Sequence, residues 1–267
     1  MDTVCRLAWR LQYAFIGRRA VTPSEPTDRG MKRLTRMFLA LVGFLGLILT
    51  GGNSHVAIAE QAPALFGDQG LKFPAGEPGK LSVVLTGPPQ DNGQSVMVVV
   101  RNNTMKPAYR VEVTSTARKS GKLVGSGSSQ GFAPVSVAPG QVAVGYVYFG
   151  GDIPKASVFQ MKTSAEGTKQ DTGSFAFLPV TITEVASVKG TYTAQVVGTL
   201  KNVNKGRVTG PISVLVACFS ANGAPLQILS TFAQEDELAA AATGSFAADL
   251  FSGGCPRYLA GAHGFKP

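Results

Sequence analysis

Between residues 81 and 251, apolar and polar side chains alternate with a period of two. They do so in short runs rich in Val, Ile, Thr and Phe that stop at Gly, Pro or Asn. That pattern places successive side chains on opposite faces of a half-buried strand, and it is incompatible with the 3.6-residue period of an amphipathic helix. It predicts strands over 81–86, 95–101, 109–117, 123–128, 142–149 and 158–162, then over 175–185, 192–201, 212–219, 226–232 and 245–251. Asn92-Gly93 supplies the positive φ of a tight hairpin between the first two. Only 235–242 has helix-favouring composition, enough for a turn or two.

The two sets of strands resemble each other. Val98-Val99-Val100-Arg101-Asn102 parallels Val197-Gly198-Thr199-Leu200-Lys201-Asn202, in each case an apolar strand closed by a basic residue and an Asn. Val111 and Val113 parallel Ile212, Val214 and Val216, and Gly121-Lys122-Leu123 parallels Gly223-Ala224-Pro225-Leu226. Pro139-Gly140 before one closing strand parallels Thr243-Gly244 before the other. A period of about 100 residues is too long for a solenoid and suits a duplicated sandwich domain. The expected organisation is all-β: a first β-sandwich over 81–165, a polar, Gly-containing linker over 166–173 and a second sandwich over 174–267. Residues 60–80, rich in Gly, Pro and Ala, form an extended lead-in.

The first 59 residues have a different character. Lys32, Arg33 and Arg36 precede an uncharged apolar run from Met37 to Leu49, and small residues at Ala57 and Ala59 set a cleavage point between Ala59 and Glu60. At 1.5 Å per residue a run of about 13 residues spans roughly 20 Å, short of a hydrocarbon core of about 30 Å, so a cleaved signal helix is favoured over a permanent anchor. Residues 1–30 are either a long basic extension or a consequence of a true start at Met31. This leader holds eight of the 25 Lys and Arg and three of the 16 Asp and Glu, leaving a net charge of only +4 beyond Ala59. No basic stripe remains for nucleic acid. Membrane contact is expected only through an uncleaved leader, and the location is secreted, periplasmic or cell-surface. Cys218 and Cys255 are the two cysteines beyond the leader, and an oxidising compartment pairs them in one disulfide. Two unpaired buried thiols are the alternative.

Chemistry is sparse. Beyond the leader there is one histidine, His263, four residues from the end, where a fraying tail would hold a catalytic base poorly. With one His near two Cys, a zinc site lacks ligands. Glu235-Asp236-Glu237 is the densest acidic cluster, a cation or partner contact in the functional reading and dipole-complementing residues of a short helix in the plainer one. Asp91 and Asp152 sit in turns as backbone caps. Arg118-Lys119 with Lys122 reads as a solvated turn, and Gly125-Ser126-Gly127-Ser128-Ser129 as a flexible turn or edge. Asn102-Asn103-Thr104 is a formal glycosylation acceptor. Tyr146 and Tyr148 share one face of a strand and could stack on a sugar or peptide, unless that face packs internally. The only Trp, Trp9, lies in the leader, which weakens an aromatic platform for polysaccharide.

The order of a strand ending near Asn, a β-branched strand, a turn Gly, a strand, a Gly step and a closing strand resembles the FxLYD-type immunoglobulin-like domain. The resemblance is clearest over 191–251 and weaker over 95–149. The stretch that gives the family its name falls at Val216-Ala217-Cys218-Phe219-Ser220, where the aromatic survives at Phe219 and Cys218 replaces Leu. The resemblance implies a β-sandwich at the cell surface with no catalytic residues to carry over; with the internal repeat, the expectation is two tandem immunoglobulin-like sandwiches, with no cofactor and no metal. The expected function is an exported, non-enzymatic binding, adhesion or spacer protein acting through sandwich surfaces or edge strands. Its partner would be an envelope or extracellular protein, or a polysaccharide. The alternatives are a structural or chaperone-like envelope component and, more remotely, an unrecognised hydrolase.

Overall fold

A computed structural model of the chain describes residues 65–67, 70–90, 93–167, 173, 175–189, 194–250 and 254–267. The expected signal sequence within 31–59, the residues 1–30 before it and the expected Ala59–Glu60 junction lie outside the described residues. All described residues belong to one compact unit, Val56–Pro267. They are all-β, arranged in two antiparallel sheets.

Strand β1 (Phe66–Gly67) lies in the lead-in. The first half then contains β2 (Leu81–Gln90), β3 (Ser95–Asn102), β4 (Ala108–Lys119), β5 (Lys122–Ala133), β6 (Ser136–Val137), β7 (Val142–Tyr148) and β8 (Val158–Gly167). The second half contains β9 (Phe177–Lys189), β10 (Ala194–Lys201), β11 (Val208–Phe219), β12 (Pro225–Phe232), β13 (Glu237–Leu238), β14 (Thr243–Asp249) and β15 (Arg257–Phe265). Strand for strand, the halves match. Ladders run β2–β3–β7–β5–β4–β8 in the first and β9–β10–β14 and β12–β11–β15 in the second, with β6 on β4 and β13 on β11.

Both halves follow one ring of six strands, opened at a different place. In the second half β15 also pairs with β9, and the opening lies between β12 and β14. There only the bridge Ala233–Phe246 forms, and Thr231 Oγ1 donates to Ala247 O at 2.9 Å. In the first half the opening lies between β2 and β8, where Thr163 Oγ1 donates to Leu81 O at 2.7 Å. Threonine hydroxyls thus satisfy backbone carbonyls where a ladder is interrupted.

A buried Asn recurs in each half. The Asn102 amide donates to Lys106 O and Val137 O, both at 2.8 Å, and its Oδ1 accepts from Thr104 N. The Asn202 amide donates to Gly206 O, Leu238 O and Ala239 O, and its Oδ1 accepts from Asn204 N. Both side chains are fully buried. The repeated Asn therefore pins the β3–β4 or β10–β11 connection to β6 or β13. Asn102 is consequently closed to a glycan in the folded chain.

Each half has its own apolar core, and a third lies between them. Val96, Val98 and Val100 of β3 enter the first core, whereas Met97 and Val99 face the second half. Val214, Val216 and Cys218 of β11 enter the second core, whereas Leu215, Ala217 and Phe219 face the first half. Strands covered on both faces explain the unbroken apolar runs 96–100 and 214–219. Close approach at this seam depends on small residues: a Cβ on Gly261 would stand 2.7 Å from Ala133 Cβ. Gln90 also crosses it, donating to Leu226 O at 3.0 Å and accepting from Ile228 N at 3.1 Å. Its amide takes the place of a neighbouring strand on the edge of β12.

The lead-in spans both halves. Phe66 and Gly67 pair with Ala260 and Leu259 of β15, Phe73 packs edge-on against Phe219 with centroids 5.9 Å apart, and Arg101 Nε donates to Pro74 O at 3.2 Å.

Four readings from sequence are corrected. Residues 235–242 are not helical: Gly210 N donates to Asp236 O, and Leu238 is buried beside Val208 as part of β13, so tertiary pairing claims this backbone. The Gly-Ser run 125–129 lies inside β5, with glycines where a Cβ on Gly125 would strike Ile153 Cδ1 and one on Gly127 would sit 3.0 Å from Phe149. The tail around His263 does not fray, because it forms β15 between β11 and β9. Of the expected linker, Glu166 and Gly167 belong to β8, while 168–172 lie outside the described residues.

Candidate functional site

The basic residues Arg118, Lys119 and Lys122 flank the turn of the β4–β5 hairpin. Ser120 and Gly121 have φ of 50° and 78°, as a two-residue type I′ turn requires, and Arg118 Nη1 donates to Gly121 O at 3.0 Å. Glu235 accepts from Ser245 N at 2.8 Å, and Glu237 pairs with Arg207 at 3.2 Å, so two members of the acidic cluster serve local structure. Asp152 accepts from the Gln94 amide at 3.3 Å, and Asp91 lies outside the described residues. Among the described residues no three His, Cys, Asp or Glu side chains gather as a metal set.

Tyr146 and Tyr148 share the expected face of β7 and meet different fates. Tyr146 packs half-buried against the apolar seam, while Tyr148 is 41% exposed and donates to Gln94 Oε1 at 3.2 Å. They form no exposed pair. Cys218 and Cys255 are joined in a buried disulfide, Cα atoms 5.0 Å apart, that ties β11 to the turn entering β15.

Two surfaces remain. The first is the outward face of β5–β4–β8, where Thr114, Thr116, Arg118, Ser126, Gln160 and Lys162 line an open recess. Register fixes their neighbours: Thr114 stands between Ser128 and Lys162, and Thr116 between Ser126 and Gln160. Most of these side chains are solvated.

The second is a cavity of about 270 Å³ where the halves meet, walled by β4 and β5 on one side and β9 and β15 on the other. Arg110 adopts φ 50°, an uncommon backbone for a residue with a Cβ, and its N–H donates to Val135 O at 2.8 Å. Its guanidinium lies 4.8 Å from the centroid of Phe177 and pairs with Glu166 at 2.7 Å. Phe177 in turn meets His263 edge-on at 5.0 Å and Phe265 at 4.9 Å. His263 is buried, and its Nδ1 has no hydrogen-bond partner. Burial first, and the positive charge of Arg110 second, push its pKa down to about 4, so the ring is neutral at pH 7. Glu112 and Gln130 complete the polar wall.

Phe177 and His263 meet because β9 pairs with β15 within the second half, and Arg110 reaches them only because the halves dock. The single histidine beyond the leader was the one available signal, and the Gly- and Ala-rich alternation around it concealed a strand. Comparison with known protein families, curated proteins and solved structures finds no match for this chain.

Proposed function

We propose that the protein is an exported, non-enzymatic binding protein of the cell envelope, made of two tandem immunoglobulin-like sandwiches. Its first half presents the β5–β4–β8 face to an envelope or extracellular protein. The observation that carries this reading is the contrast between equivalent faces. The corresponding β12–β11–β15 surface is apolar and consumed in packing on the first half, whereas β5–β4–β8 is polar, recessed and uncovered. Mixed hydroxyl, amide and cationic groups on a rigid sheet suit a wet, reversible interface. Export is supported by the Lys/Arg–apolar–small-residue order of 31–59 and by the disulfide, since such bonds persist in oxidising compartments.

The test places a photoreactive amino acid at Thr116 and, as a control, at Thr199 on β10 of the other half. A discrete adduct in native envelopes from Thr116 but not from Thr199 is the expected result. Equal labelling at both, or none at Thr116, overturns this use of the face. The intact mass of the native protein separately checks export, with a first residue of Glu60 expected.

A further inference from the structure

The geometry points to the turn end of the β4–β5 hairpin as a contact for an anionic lipid surface. Leu123 and Val158 enter the headgroup layer there, while Arg118, Lys119, Lys122 and Lys155 meet its phosphates. This membrane contact does not depend on the leader, and it goes beyond the protein contact proposed for β5–β4–β8. Apolar side chains stand where water should reach them. Leu123 of β5 and Val158 of β8 flank Arg118 of β4 in register. They are 58% and 68% exposed, and Val124 beside them is exposed as well. Single exposed aliphatics are ordinary on a protein surface, but neighbours of this kind form a patch. The patch sits on a protrusion. A Cβ on Gly121 at the turn would touch nothing. Arg110 and Ala133, at the opposite ends of the same two strands, lie at the seam about 30 Å away.

Charge selects the occupant. Between Glu112 and Asp152 the sequence contains no carboxylate. Lys119 and Lys122 stand directly opposite each other, a cross-strand pair of like charges that disfavours the hairpin. The turn at 154–157 leads into β8 at this same end and adds Lys155. Neither these three lysines nor Arg118 has an ion-pair partner among the described residues. Asp152, the acid closest in sequence to Lys155, is engaged by the Gln94 amide. An anionic surface offsets a repulsion that the protein leaves standing. Shape agrees with charge. Short aliphatics on a convex turn need a yielding surface, and a headgroup layer admits them while Lys and Arg stems lie along it.

The test places a photoreactive amino acid at Val124 and, as a control, at Thr199, in the disulfide-intact protein recovered from its native host. Each protein is mixed with vesicles of phosphatidylcholine alone, or of phosphatidylcholine and phosphatidylglycerol in equal parts. Lipid adducts at position 124 from the anionic vesicles only, and none at 199, are the expected result. In Lys119→Gln/Lys122→Gln the lipid concentration for half-labelling should rise about thirtyfold, and added salt should raise it in the parent protein. Both lysines are exposed, so this variant keeps the fold, checked by its midpoint in denaturant. The proposal is overturned by no lipid adduct at 124, by equal yields from the two kinds of vesicle, or by unchanged half-labelling in the lysine variant. A discrete protein adduct at 124 in native envelopes, with no lipid adduct, equally overturns it and assigns the tip to a protein. Position 116 reports the protein contact on β5–β4–β8 separately, so either reading can fail without the other.

Discussion

The outward faces of β5–β4–β8 and β12–β11–β15 occupy the same place in two copies of one topology, yet they do opposite things. Along β4 the face carries Thr114, Thr116 and Arg118; along β11 the matching register positions carry Leu215, Ala217 and Phe219. On the neighbouring strand, Gln160 and Lys162 stand where Leu259 and Gly261 stand in the second half. The apolar set is covered by Met97, Val99 and Val144 of the first half, while the polar set is covered by nothing described. The halves therefore pack head to tail, one kind of face on another. A heterologous contact of that kind repeats indefinitely unless its ends differ from its middle. Five side chains are enough to turn a stacking surface into a solvent-facing end.

The largest test of that contrast is Phe219→Arg. It buries a charge where a fully covered ring now sits and should cost about 5 kcal/mol, read as a lower midpoint in denaturant. The mirror change Arg118→Phe should leave the midpoint within about 0.5 kcal/mol, because that position is partly solvated. Equal losses at the two sites would mean that the faces are not different in kind.

The disulfide is the next asymmetry, present in the second half alone. Closing a loop of sequence separation 37, it should contribute about 3–4 kcal/mol, measured by comparing the oxidised protein with Cys218→Ala/Cys255→Ala. Hydrogen exchange should show the loss concentrated in β11, β12 and β15.

His263 sharpens the comparison through pH. Its folded pKa of about 4 lies below the ordinary value of 6.5, so the unfolded chain binds the proton more readily. Its stabilisation is complete above pH 6.5 and drains away as pH falls towards 4, about 3 kcal/mol in all. After burial, the Arg110 guanidinium, itself paired with Glu166, is the second cause that opposes protonation. Against His263→Gln, the wild type should show this extra slope between pH 6.5 and 4. Parallel curves would show that the ring is not buried at the seam.

Two smaller effects remain. Ser115 is buried in the first core with an unpartnered hydroxyl, and its counterpart in the second is Val216. Ser115→Val should therefore stabilise the protein by about 1 kcal/mol in thermal or urea unfolding. The combined change Thr114→Leu/Thr116→Ala/Arg118→Phe, which copies the apolar face onto the first half, should alter stability by less than about 1 kcal/mol. It should nevertheless produce concentration-dependent oligomers in sedimentation experiments.

Much of this fold was legible because period-two alternation is imposed by the pleat itself. The eleven expected strands all appear, most of them longer than expected, and the repeated Asn at 102 and 202 has a physical role in each half. What escaped was whatever depends on distant chain. β15 is built on Ala260, Gly261, Ala262 and Gly264, residues small enough to admit neighbouring layers and too small to announce a strand. β6 and β13 are two residues long and held by an Asn amide from far along the sequence. Helix-favouring composition at 235–242 lost to backbone pairing with Val208 and Gly210. The seam cavity was illegible for the same reason: Phe177 and His263 are joined by a pairing across most of the second half, and Arg110 reaches them only through docking of the halves.

The pairing of β1 with β15 joins the beginning of the described chain to its end. A contact of such high sequence separation cannot form until the last strand is available, so a chain emerging N-terminus first must hold its lead-in in reserve. Leu71 and Phe73, destined for the seam, stay uncovered until the second half supplies Phe219 and its neighbours. Topologies dominated by such distant pairings fold slowly, and their partly built forms expose apolar surface and strand edges. The clasp that ties the two halves together in the finished molecule thus depends on the last strand to be made, and the partly built chain before it leaves apolar surface open to aggregation or to a protease.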